Sequence, residues 1–254
     1  MHACRASCSL RSCLRSWYAT PLGSALAAAE RAQLEPLLPR MFGFHLLQVG
    51  ALPPDAGLLE SSPIRHRVVL DSDRLAGGCG LAAQPTALPI AADSVDAVVL
   101  YHALEFEHDP HQVLREAERV LIAEGSLIVI GFNPYSLWGL RGWLRRRRGD
   151  APWCGRFVGL PRLRDWLALL GFDVELSRTL FFRPPLQRPG MLARLERLER
   201  AGARWWPPFG GCYLVAARKR VSTLTPIKPR WRPRRGLLPA GLAGPTTRRT
   251  GTLG

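Results

Sequence analysis

No apolar run in the sequence approaches the ~18 residues that a helix needs to cross a bilayer, so a transmembrane helix is excluded. The opening stretch, MHACRASCSLRSCLRSWYAT, is basic and lacks the continuous apolar segment of a secretory leader. A cytoplasmic protein is therefore expected. The cysteines, Cys4, Cys8, Cys13, Cys79, Cys154 and Cys212, do not fall into the close pairs that a structural zinc site requires. Free thiols in a reducing compartment are expected, and no metal. No internal repeat is found. Acidic residues are absent after Glu199, and the formal net charge is +15.

That excess of positive charge is unevenly placed. From Arg218 onward the chain carries RKR, KPRWRPRR and TTRRT among prolines and glycines. Such a composition cannot build a packed core, so residues 221–254 are expected to form a disordered basic tail. Residues 1–16 are likewise expected to be disordered. A second basic cluster runs from Arg145 to Arg148. Both clusters suit an anionic partner, either nucleic acid or an anionic membrane surface, and both suit plain solvation equally well.

Between them, residues 17–220 read as alternating helices and strands. WYATPLGSALAAAERAQLEPLLPRMFG predicts an early helix with Leu22, Leu26, Ala29, Leu34, Leu37 and Leu38 as its apolar face. HLLQVG reads as a buried strand closed by Gly50, and RHRVVLDSD as a second strand ending at Asp71 and Asp73. SVDAVVLYHAL is the clearest buried strand. Asp109 and Pro110 then form a helix start, and Val113, Leu114, Ala117, Val120 and Leu121 share one face to Leu121. GSLIVIGF predicts a strand, LPRLRDWLALLGF a helix stopped by Gly171, and DVELSRTLFF a strand. MLARLERLERAGARW predicts a helix and GCYLVAARKR a last strand. This alternation implies an α/β fold with a mainly parallel sheet covered on both faces. Ligands of such sheets bind at the carboxyl ends of the strands. That singles out the residues after Val49, Leu70 and Leu100.

The segment 87–134 carries an ordered pattern: Leu88-Pro89, Asp93, Asp96 before a buried strand, His102, Asp109-Pro110, Arg119-Val120-Leu121 and Gly125. It resembles the small-molecule class I S-adenosylmethionine (SAM)-dependent methyltransferases typified by the ubiquinone and menaquinone enzymes. Within them, GFNPYSLWGLR is similar to an uncharacterised bacterial subgroup. The resemblance implies a Rossmann-like seven-stranded sheet with helices on both faces. DVELSRTLFF and GCYLVAARKR would form its antiparallel edge hairpin. It also implies SAM as cofactor and in-line methyl transfer to an acceptor, here an unidentified small molecule.

Site residues follow from the resemblance and from the residues themselves. Gly50, with Gln48 beside it, would let backbone approach the cofactor closely. Asp71, 21 residues beyond Gly50, would accept from the ribose hydroxyls, with Asp73 as the fallback. Gln84, Ala87 and Leu88 would border the adenine, and Tyr101 the methionine half. His102 is the candidate general base, since an imidazole titrates near neutrality. It reads equally as a core residue. Asn133, Tyr135 and Trp138 are candidate substrate contacts, and Trp143 and Trp153 lie in the same arginine-rich stretch. The first loop, QVGALPPDAG, departs from the family pattern, with Leu52 and Pro54 where glycines are usual. Two other functions stay open: an RNA methyltransferase that uses the basic tail, and a non-catalytic binding protein on the same fold.

Overall fold

The computed structural model describes residues 10–50, 57–72, 80–145, 151–185, 199, 202 and 204–220. Seven strands form one sheet: β1 His45–Val49, β2 His66–Asp71, β3 Leu81–Ala82, β4 Val95–Tyr101, β5 Leu121–Phe132, β6 Phe172–Leu180 and β7 Cys212–Lys219. Their order is β3-β2-β1-β4-β5-β7-β6. The strands from β3 to β5 pair in parallel, and β7 pairs antiparallel with both β5 and β6. This is the expected α/β sheet with its antiparallel edge hairpin. The two-residue strand β3 is too short to show in the residue pattern.

Among the described residues, five helices pack on it: α1 Leu10–Tyr18, α2 Pro21–Leu34, α3 Pro110–Val120, α4 Leu137–Arg145 and α5 Leu160–Leu169. Alternate residues of each strand face opposite sides, and two cores result. Ala97, Val99 and Tyr101 of β4 join Ile128, Ile130 and Phe132 of β5 under α1 and α2. Val98, Leu100, Leu127 and Val129 face the other way, against Val113 and Leu114 of α3 and Leu163 and Leu167 of α5.

Local chemistry sets the helix ends. Thr20 caps α2 by accepting from the Gly23 N–H, with Pro21 following at the first turn. Asp109 caps α3 by accepting from the N–H groups of His111 and Gln112. The helix stops at Val120, one residue earlier than expected, because Leu121 already belongs to β5. The signature of segment 87–134 is largely structural. Asp96 accepts from the N–H groups of Phe44 and His45 and so fixes the start of β1. Arg119 donates to the carbonyls of Leu88 and Ile90 and pairs with Glu116, which ties the loop before β4 to α3.

The amino terminus corrects two expectations. Residues 10–16, read as disordered, are helical. The LRSCLRSWY segment places Leu14, Trp17 and Tyr18 in the core, and this burial outweighs its charge. Cys13 on this helix is disulfide-bonded, not free; Cys154 and Cys212 are free. Residues 1–9, the cluster 146–148, most of the expected helix at 191–205 and the tail 221–254 lie outside the described residues. No helix among the described residues is long and apolar enough to cross a membrane.

Candidate functional site

The carboxyl ends of β2, β1 and β4 lie side by side, at the edge where sheets of this kind bind ligands in a crevice. At its centre is Gly50, whose φ of +100° suits glycine. A Cβ there would stand 2.3 Å from the Tyr101 carbonyl oxygen. The glycine is thus required by the close approach of β4, independently of any ligand. Gln48 donates to the Gly50 carbonyl at 2.7 Å and braces the turn. Asp71 ends β2 with its carboxylate fully buried, 0% exposed. The Ala83 N–H donates to the Asp71 carbonyl, so Gln84 and Ala87, both exposed, stand beside the same strand end.

A residue that the sequence reading missed crosses this crevice. Arg11 of α1 reaches over Gly50 with a side chain only 4% exposed. Its Nε lies 3.8 Å from Asp71 Oδ1. Its Nη2 donates to Glu107 Oε1 at 3.0 Å and to the Ala103 carbonyl at 3.4 Å. Nε and Nη1 are buried without a hydrogen-bond partner. The signal was present in the apolar spacing of Leu10, Leu14 and Trp17, which the surrounding arginines obscured.

Two expected cofactor contacts point elsewhere. Leu88 is buried in the core, and its N–H is taken by Glu116 Oε2. The Tyr101 ring also enters the core, where its hydroxyl donates to Glu30. Each is the inward member of an alternating or tightly turned segment, so packing claims it.

His102 stands at the end of β4 with a φ of +45° and no exposure. Its Nε2 lies 2.9 Å from Glu30 Oε1, and its Nδ1 lies 3.2 Å from Glu105 Oε1. Glu30 comes from α2 and also accepts from the hydroxyl of Tyr18. Glu105 Oε1 accepts from the Phe132 N–H at 2.7 Å. Burial pulls the imidazole pKa down, but the two carboxylates outweigh it and raise the value from 6.5 to about 9. The two carboxylates therefore favour the charged imidazole, which bears out the reading of His102 as a hydrogen-bonded core residue rather than a free general base. Burial, then the Glu30 charge, raises the hydroxyls of Tyr18 and Tyr101 well above their usual range. Burial likewise raises the Cys212 thiol. Ligand atoms of Glu30, His102 and Cys212 lie within 4.8 Å of one another.

The expected substrate contacts divide. The Asn133 amide is buried and occupied: Nδ2 donates to the carbonyls of Pro208 and Gly210, and Oδ1 accepts from the Tyr135 N–H. It fastens the end of β5 to the turn before β7. Trp138 is a core residue, packed against Trp17, Phe132, Trp153 and Phe181, with Nε1 donating to the Arg183 carbonyl. Tyr135 is exposed. So is Trp143, at 73%, on an outward face of α4 with Leu137, Leu140 and Leu144.

Comparison with known proteins places this geometry. Residues 70–129 match the family model described as a methyltransferase domain. The uncharacterised Escherichia coli protein YafS is 36% identical over 214 residues, 84% of each chain. An SAM-dependent methyltransferase from Thermotoga maritima superposes with a TM-score of 0.55 at 16% identity, covering 75% of this chain and 88% of that one. The chain belongs to one family with YafS, and its fold is that of the class I SAM-dependent methyltransferases. The [4+2]-cyclase SpnF also shares the fold, with a TM-score of 0.51 at 18% identity over 74% of this chain and 80% of that one. The fold alone therefore does not fix the reaction.

SAM is the cofactor that the matched methyltransferase domain implies, and the residues at these strand ends are compatible with it. The buried Asp71 carboxylate, the bare backbone at Gly50 and the unpaired N–H groups of Arg11 match a ligand that carries hydroxyls, cationic centres and a carboxylate.

Proposed function

We propose that the chain transfers a methyl group from SAM to a small-molecule acceptor. The observation that carries this reading is the buried Asp71 carboxylate at the end of β2, facing the crevice beside Gly50. A carboxylate at the end of the second strand of such a sheet can accept from ribose hydroxyls. Gln84 and Ala87 border the same strand end and offer an edge for the adenine. When bound, SAM supplies an electrophilic methyl on a sulfonium. The chain then has to align the acceptor and keep water out.

The outward apolar face of α4 supports an acceptor with hydrophobic character. Leu137, Leu140, Trp143 and Leu144 are exposed on the helix that follows the carboxyl end of β5. Tyr135 sits at the start of the same segment. His102 does not touch the acceptor in this reading. Its part is to hold the end of β4 through Glu30 and Glu105.

Calorimetric titration with SAM and S-adenosylhomocysteine tests the cofactor half, with Asp71→Ala as the control. Loss of the carboxylate is expected to weaken binding by about tenfold or more, the scale of a charge-assisted hydrogen bond. Incubation with methyl-labelled SAM and fractionated cell extract tests the acceptor half. Label is expected in the small-molecule fraction and not with Asp71→Ala. Label confined to RNA would replace the acceptor class, and absence of cofactor binding by folded protein would leave a non-catalytic binding protein.

A further inference from the structure

We propose that Arg11 of α1 is the anchor for the carboxylate of the cofactor's amino-acid end, so that the amino-terminal helix is part of the cofactor site. The proposal rests on the cofactor reading above. Three observations carry it. The Arg11 side chain is 4% exposed, yet its Nε and Nη1 have no hydrogen-bond partner. A buried guanidinium N–H left unpaired is costly, and the group that best satisfies it is an anion. The unpaired Nη1 lies 3.5 Å from where a Gly50 Cβ would stand, so it faces the bare backbone at the crevice centre.

The charges around Arg11 match the same ligand. Asp71 and Glu107 flank the single guanidinium, at 3.8 Å and 3.0 Å. The three groups together carry one net negative charge. SAM carries a sulfonium, an ammonium and a carboxylate, hence one net positive charge. Its carboxylate would meet Arg11. Its ammonium would meet acceptors that Arg11 now holds, Glu107 Oε1 and the Ala103 carbonyl. The helix that presents Arg11 is fixed by the burial of Leu14, Trp17 and Tyr18, which gives the anchor a rigid base.

The test is a comparison of two ligands that differ only in the carboxylate. Wild-type protein, Arg11→Ala and Arg11→Lys are titrated calorimetrically with SAM and with decarboxylated SAM, after circular dichroism confirms that each variant is folded. The wild type is expected to prefer SAM by about tenfold or more, the scale of a charge-assisted contact. Arg11→Ala is expected to lose that preference, so that its affinities for SAM and decarboxylated SAM converge. Arg11→Lys, which keeps the charge without the planar fork, should retain part of it.

Three results overturn the proposal. Undiminished preference in Arg11→Ala puts the carboxylate elsewhere. Tighter SAM binding in Arg11→Ala makes Arg11 a plug that the cofactor must displace. Equal weakening towards both ligands makes Arg11 a support for α1 alone. Should Arg11→Ala fail to fold, Arg11→Gln keeps most of the stem and decides the same three outcomes. Wild-type protein that binds neither ligand would refute the cofactor reading itself, and this proposal with it.

Discussion

Two polar clusters sit at the carboxyl ends of the strands, both covered by the amino-terminal helices, and they differ in how far their atoms are satisfied. In the cluster around β1 and β2, Arg11 holds Glu107 but leaves Nε, 3.8 Å from Asp71, and Nη1, beside Gly50, without hydrogen-bond partners. In the cluster around β4 and β5, His102 has both nitrogens bound, and Glu30 accepts from Tyr18, Tyr101 and His102. Glu105 Oε2 and the Tyr213 hydroxyl are the atoms left over there. Both clusters have perturbed or buried charges, so charge alone does not separate a binding site from a structural network. The unpaired donors facing bare backbone do. The first cluster is arranged to receive something, and the second is arranged to hold strands and helices together.

The largest effect that would break this contrast is predicted at Glu30. Glu30→Leu strips partners from a buried imidazolium and two buried hydroxyls, and removing one side of such a pair costs about 3–5 kcal/mol. Urea denaturation is expected to show a loss of that size. A smaller loss would mean that the network is loosely held and open to a catalytic role.

A pH series sharpens the same point. The imidazole of His102 titrates at about 9 in the folded chain against 6.5 unperturbed. Between those values the folded state keeps a proton that the unfolded state has released. The stability contributed by His102 is therefore complete below pH 6.5 and is lost as pH rises through about 9. Stability is expected to fall by up to about 1.4 kcal/mol per pH unit across that window. His102→Gln should flatten the slope in the same denaturation measurement.

The smallest effect is predicted at Trp143, which is exposed on α4. Trp143→Ala should change stability by no more than about 0.5 kcal/mol, as surface substitutions do. If α4 borders the acceptor, the same variant should nevertheless lower methyl transfer into the small-molecule fraction.

Much of the fold was legible in the residues. The continuous apolar run in VDAVVLY marked β4 as a buried strand, and the Asp109-Pro110 pair marked the start of α3 to the residue. Within the candidate site, Gly50 and Asp71 were legible because strand ends in such sheets are where ligands bind. Trp138 misled, because an arginine-rich setting gave no hint that this indole turns into the core while Trp143 turns out. Tyr101 and Leu88 misled for a related reason: their positions were right, but their polar or apolar groups had partners on other elements.

What the sequence determined by itself is the order of most elements, their mainly parallel pairing and the two strand ends at the candidate site. These follow from periodicity, capping and turn chemistry, all of which act over a few residues. Only the tertiary structure decided which polar groups meet. Arg11 reaches Glu107 across 96 residues, and His102 reaches Glu30 across 72. No local pattern encodes such pairings, since a buried charge is matched by whichever partner the packed helices bring within hydrogen-bond distance.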